Sequence, residues 1–182
     1  MMECKAALTE ANGNMEEAVT VLRKRGLAQA AKRAGRNTSQ GLVSSYIHMG
    51  GKIGVLLEVN CESDFVARTD DFQHLVKEVA MHIAAADPKY VRREDVPAEL
   101  VEKEKAIYRS QFEGSGKPAQ VIEKIVEGKL GSFYSQIALL DQPSVRDQAV
   151  TVGQMVSQAV AKTGENIVVS RFSRFKLGES AE

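Results

Sequence analysis

The chain contains no tryptophan, two cysteines and four prolines, and aromatic residues make up only 5% of it. Cys4 and Cys61 lie in different segments without C-x-x-C spacing, so the sequence carries neither a disulfide framework nor a zinc signature. Its apolar runs fall well short of the ~20 residues that a membrane-spanning helix needs. No charged-then-apolar leader opens it, which makes the cytosol the expected compartment. Net charge is missing too: 24 basic residues balance 24 acidic ones, so net charge gives nucleic-acid binding no support. His48, His74 and His82 form no H-E-x-x-H arrangement and read as surface or boundary residues. There is no G-x-S-x-G elbow, and neither cysteine has an evident histidine partner, so both read as small packed hydrophobes. Gly114-Ser115-Gly116-Lys117 has the look of a phosphate loop. It fails the pattern, because Gln111 stands where the first glycine belongs and Pro118 where Ser or Thr must follow the lysine. The expectation is a protein that is not an enzyme and that binds no cofactor or metal of its own.

What remains is globular. Hydrophobic residues make up 43% and charged residues 26% of 182, enough for one core domain with a small appendage. Met2 to Ala11 carries Cys4, Leu8 and Ala11 at helical spacing and stops at Asn12-Gly13. Asn14 with Glu17 forms a capping box for a second helix through Ala18, Val19 and Leu22. Gly26 is expected to cap that helix, and Leu27 to Ala34 to form a third, ending at Gly35. Residues 1–35 thus form a small helical module, too small to stand alone, whose first helix is expected to be missing. Residues 36–41 read as a linker. The first forty residues carry seven basic and four acidic groups. Such a local excess is usually a solvated face, though it can dock on RNA or on an acidic protein surface.

Residues 42–182 form the expected core. Leu42 to Met49 and Lys52 to Val59 alternate as strands about a Gly50-Gly51 turn, with Ile53, Val55, Leu57 and Val59 on one face. A strongly amphipathic helix follows, with Phe72, Leu75, Val76, Val79, Ala80 and Ile83 on one stripe and Asp87-Pro88 at its end. Pro97 and Pro118 open two further helices, the first bearing the charged run Glu102-Lys103-Glu104-Lys105. Leu139 to Pro143 is a turn, and Thr151 with Gln154 opens a helix that ends at Gly164. In the final strand, Asn166 to Leu177, Ile167 and Val169 share one parity, Phe172 falls on the other and Phe175 returns to the first, which predicts a bulge or burial on both faces. The fold class is α+β: a small antiparallel sheet covered by helices, behind a short helical module.

Between the central strand and the long helix lies Cys61-Glu62-Ser63-Asp64-Phe65-Val66-Ala67-Arg68. Ser63 can cap a short helical turn, and Asp64 strengthens the cap with its charge. Phe65 then stands on a tight corner. The pattern leaves two readings open: an aromatic wedge pointing outward, or a plug folded into the protein's own core.

Three ordered segments resemble the elongation factor Ts family. They are Met1 to Asn14, Val55 to Ala67, and Gly164 to Ile167 together with Arg171 to Phe175. The family's usual Thr-Asp-Phe-Val is Ser63-Asp64-Phe65-Val66 here, which keeps the hydroxyl and loses a methyl. The likeness implies an N-terminal module related to ubiquitin-associated domains, here without its first helix, and one core subdomain in a homodimer. It also implies a partner, elongation factor Tu holding GDP and magnesium. Ser63, Asp64, Phe65 and Val66 would disturb that partner's magnesium site, while Met1, Met2, Lys5 and Arg33 would dock the N-terminal module. The family serves bacteria, chloroplasts and mitochondria alike. An alternative from another class is an RNA- or ribosome-associated module using the basic N-terminal helices. A third is a ubiquitin-type binder.

Overall fold

The computed structural model describes residues 2–112 and 116–179, so Met1 and the Gly114-Ser115 pair of the rejected phosphate loop lie outside the described residues. The described chain forms two compact units. One runs up to Met81 and resumes at Gln154; the other spans His82–Gly153.

The first unit opens with α1 (Met2–Glu10) and α2 (Met15–Arg33). Asn12 and Gly13 both take positive φ between them, and the Asn14 side chain accepts the Glu16 and Glu17 N–H groups to start α2. Ala7, Ala11 and Ala18 are buried where the two helices meet, with Leu8, Val21 and Leu22 against them. Two expectations fail here. Cys4 is exposed; Ala7 holds the contact face, since a small side chain lets the helix axes approach closely. Gly26 does not end a helix, and α2 continues through it to Arg33. The glycine instead makes room for a neighbour, because a Cβ there would sit 3.3 Å from the Cβ of Ala161.

The sheet has order β1-β2-β3, antiparallel throughout, with β1 at Gln40–Ile47, β2 at Ile53–Cys61 and β3 at Ile167–Lys176. Alternation in β2 is as the sequence requires: Val55, Leu57, Val59 and Cys61 are buried. The parity change in β3 is a bulge. Glu58 pairs with Arg171 and Val59 with Val169, leaving Ser170 without a counterpart. That extra residue brings Phe172 onto the inner parity and turns Phe175 outward, where it is exposed. Two helices follow β2: the single turn α3 (Asp64–Ala67) and α4 (Asp70–Ala86). The whole predicted stripe of α4, from Phe72 to Ile83, is buried. Asp87, at positive φ, and Pro88 end it.

The second unit holds α5 (Ala98–Ser110) and α6 (Ala119–Ile137), each opened by a proline at its N-cap. They are joined side by side by Arg109, whose guanidinium donates to both Glu123 carboxylate oxygens at 2.8 and 3.0 Å. Helix α7 (Val152–Thr163) begins directly after Thr151 and leads back to the first unit. Among the described residues no helix is long and apolar enough to cross a membrane.

His82 corrects the expectation of a surface or boundary histidine, being only 1% exposed. The Val145 N–H donates to its Nδ1 at 3.3 Å, so Nε2 carries the proton and donates to Gln142 Oε1 at 2.8 Å. Burial pushes the imidazole pKa below its ordinary 6.5. On acidification the unfolded chain therefore binds this proton first. The stabilisation is complete above about pH 6.5 and is lost as pH falls towards the depressed folded value. We expect the urea midpoint to fall between roughly pH 7 and 5.5. A His82→Asn variant should show a flatter dependence over the same range.

Candidate functional site

The corner between β2 and α4 is held at both ends by hydroxyl caps. Ser63 Oγ accepts the Val66 N–H at 3.3 Å to open α3. Thr69 Oγ1 donates to the Val66 carbonyl at 2.7 Å and accepts the Phe72 N–H at 3.3 Å, opening α4. Phe72 is fully buried at that point, so the second cap is fixed to the core. The Cys61 thiol donates to the Ser63 carbonyl at 3.1 Å from a fully buried position. Burial, with the Glu165 charge nearby, pushes its pKa up. Its full burial matches the packed hydrophobe expected of it.

A four-residue helix cannot bury all its side chains against one sheet, and this one divides them. Val66 and Ala67 are 5% and 6% exposed, whereas Phe65 is 81% exposed. The aromatic points outward, which resolves the two readings that the sequence left open. An isolated exposed phenylalanine on a mobile loop would mean little; one on a doubly capped turn is held out at a fixed place. Asp64 stands beside it, its carboxylate accepting from the Arg68 guanidinium one turn on. The four sequence-predicted residues thus separate into two that present side chains, Asp64 and Phe65, and two that support them, Ser63 and Val66.

In the N-terminal helices, Met2 is 78% exposed and Lys5 is exposed, while Arg33 is half-buried with Nη1 enclosed and without a hydrogen-bond partner.

Two residues that sequence reasoning gave no role complete the corner. The pairing of Cys61 with Ile167 places Glu62 and Ser63 beside Glu165 and Asn166. The Ser63 N–H donates to Glu165 Oε2 at 2.9 Å and its hydroxyl to Oε1 at 2.6 Å. In return the Asn166 N–H donates to Glu62 Oε1 at 2.6 Å. The Asn166 side-chain amide, itself buried, donates to the Ala34 and Arg36 carbonyls at 3.4 and 3.0 Å. Arg36 also lies 3.5 Å from the Glu62 carboxylate. The exit of α2, the corner and the start of β3 are therefore tied together. The sequence signal was slight: Gly164, at positive φ, marks a tight turn, but nothing local shows what its neighbours reach.

An aromatic and a carboxylate held out on a capped corner are open to contact from another molecule. Such a corner is compatible with a partner-binding factor. The sequence model of the family described as Elongation factor TS matches residues 3–179, and the chain belongs to that family. Its relatives include the elongation factor Ts of Koribacter versatilis, 61% identical over 182 residues, covering 100% of this chain and 83% of that protein. The Fervidobacterium nodosum protein of the same name is 63% identical over 179 residues, covering 98% of this chain and 91% of its own length. That of Caldanaerobacter subterraneus subsp. tengcongensis is 57% identical over 182 residues, covering 100% and 91% respectively. Membership makes the chain a nucleotide-exchange factor for elongation factor Tu in translation elongation.

Proposed function

We propose that the chain engages the GDP form of elongation factor Tu and expels nucleotide by pressing Asp64 and Phe65 against the region that holds magnesium. The observation that carries this reading is the 81% exposure of Phe65 on a turn that Ser63 caps and that buried Val66 and Ala67 anchor. Exchange of this kind is thermodynamic coupling. The factor binds a distorted partner best, nucleotide with magnesium binds the undistorted one best, and each weakens the other by the same factor. Ser63 and Val66 set the corner. Residues 1–35 act as a docking element, in which Met1, Met2, Lys5 and Arg33 take part, and the core from residue 42 onward carries exchange. The expected setting is the cytosol.

The same reading includes a homodimer formed through the open sheet face. Along that face Ile47, Gly54 and Phe175 form one row, Ser45, Leu56 and Ser173 the next, and Val43, Glu58 and Arg171 a third. Val43, Ile47, Leu56 and Phe175 are all at least half exposed. Gly54 lets Ile47 spread across the centre, its Cδ1 lying 3.1 Å from where a Cβ would be. Glu58 is already matched within the chain: the Arg171 guanidinium donates to it at 2.7 Å and holds its carboxyl below the usual range. An apolar face whose charges are neutralised at home suits a second copy of itself, since two-fold symmetry sets like against like. We expect Leu56→Glu to convert dimer to monomer in sedimentation equilibrium with the fold retained. A monomeric native protein, or a dimer that survives this change, rules the face out.

A further inference from the structure

We propose that Glu165 is the positioning residue for the Phe65 wedge, and this rests on the exchange reading above. Ser63 offers two donors to one side, its N–H and its hydroxyl. Glu165 meets each with a separate carboxylate oxygen, at 2.9 and 2.6 Å. The hydroxyl keeps its lone pair for the Val66 N–H, so one serine is fixed at three points. Phe65 lies two residues beyond it, on the turn that this serine opens. Hydrogen bonds to a charged acceptor are about twice as strong as neutral ones, and these two hold the residue from which the wedge is cantilevered.

Glu165 is itself held. Its N–H donates to Thr163 Oγ1 at 3.4 Å, and the next residue, Asn166, donates to Glu62 Oε1 at 2.6 Å. The two dipeptides Glu62-Ser63 and Glu165-Asn166 therefore exchange hydrogen bonds in both directions: each supplies one carboxylate and one backbone donor. Movement of the corner relative to β3 must break both. Such an arrangement makes the wedge deliver its force to the partner rather than yield by bending back, which is the requirement for coupling to be strong.

The test is a double-mutant cycle on the release of fluorescent GDP from elongation factor Tu, using the full chain as Glu165→Ala, Phe65→Ala and the double variant, with thermal melts alongside. Glu165→Ala is expected to slow release about tenfold. Introduced into Phe65→Ala, it should slow release by no more than about twofold further, because its effect runs through the missing ring. A purely structural role would slow both backgrounds equally, and that result overturns the proposal. Should Glu165→Ala not fold, Glu165→Gln, which retains one acceptor, goes through the same cycle with an expected effect of about threefold. Normal release by Phe65→Ala alone removes the wedge and this role with it. A slow Phe65→Ala combined with additive effects removes the positioning role alone.

Discussion

Replacing Phe65 by alanine is expected to slow GDP release from elongation factor Tu by about ten- to a hundredfold while leaving the melting temperature almost unchanged. The magnitude follows from the ring. Burying a phenylalanine against a partner contributes about 1.5–3 kcal/mol, and each 1.4 kcal/mol is a factor of ten in rate if the contact exists only in the distorted complex. The structural half of the prediction follows from exposure. A side chain 81% open to solvent contributes little to folding, so its truncation should change stability by under about 0.5 kcal/mol. Stopped-flow release and a thermal melt of the same preparation check both halves. The combination is diagnostic, because a ring that served the core would lose stability and activity together.

Gly41→Ala is expected to be strongly damaging, costing about 3–4 kcal/mol and lowering the urea midpoint accordingly. Gly41 has φ +145°, and a Cβ there would lie 2.2 Å from the Val59 carbonyl oxygen and 2.7 Å from the Asn60 Cα. Both obstacles are backbone, so no rotamer change relieves them. Relief requires β1 to move away from β2 at the Gly41–Asn60 pair, the end of the sheet from which the Ser63–Thr69 corner leaves. Exchange activity should fall with stability. Gly50→Ala is the control: φ is +88° but the space around it is open, so only conformational strain remains and the cost should be about 1 kcal/mol.

Where the sequence was readable, a period was present. The alternation of β2 and the stripe of α4 repeat often enough to identify their inner faces, and the broken parity of β3 allowed either a bulge or two-sided burial, of which the register shows the bulge, at Ser170. The Ser63 cap could be anticipated because capping is local chemistry. Failures came where a single residue had to decide between environments. Gly26 looks like a helix stop until the neighbouring Ala161 is seen, after which it is a close approach inside a continuous helix. Cys4 looked like part of an apolar stripe that Ala7 and Ala11 in fact carry. Pattern alone could not give the direction of Phe65, because one turn of helix has no period and Val66 competes for the same interior; only the family resemblance implied that it faces outward. Glu165 was invisible for a different reason: its partner, Ser63, lies 102 positions away, and only the pairing of β2 with β3 brings them together.

The exchange mechanism can be tested most directly by loading elongation factor Tu with fluorescent GDP and magnesium and following release with no factor, with the native chain and with Phe65→Ala. The account predicts fast release with the native chain, and release with Phe65→Ala that is about ten- to a hundredfold slower yet still above the factor-free rate. Equal rates for the native chain and Phe65→Ala, at concentrations where both bind, would contradict it.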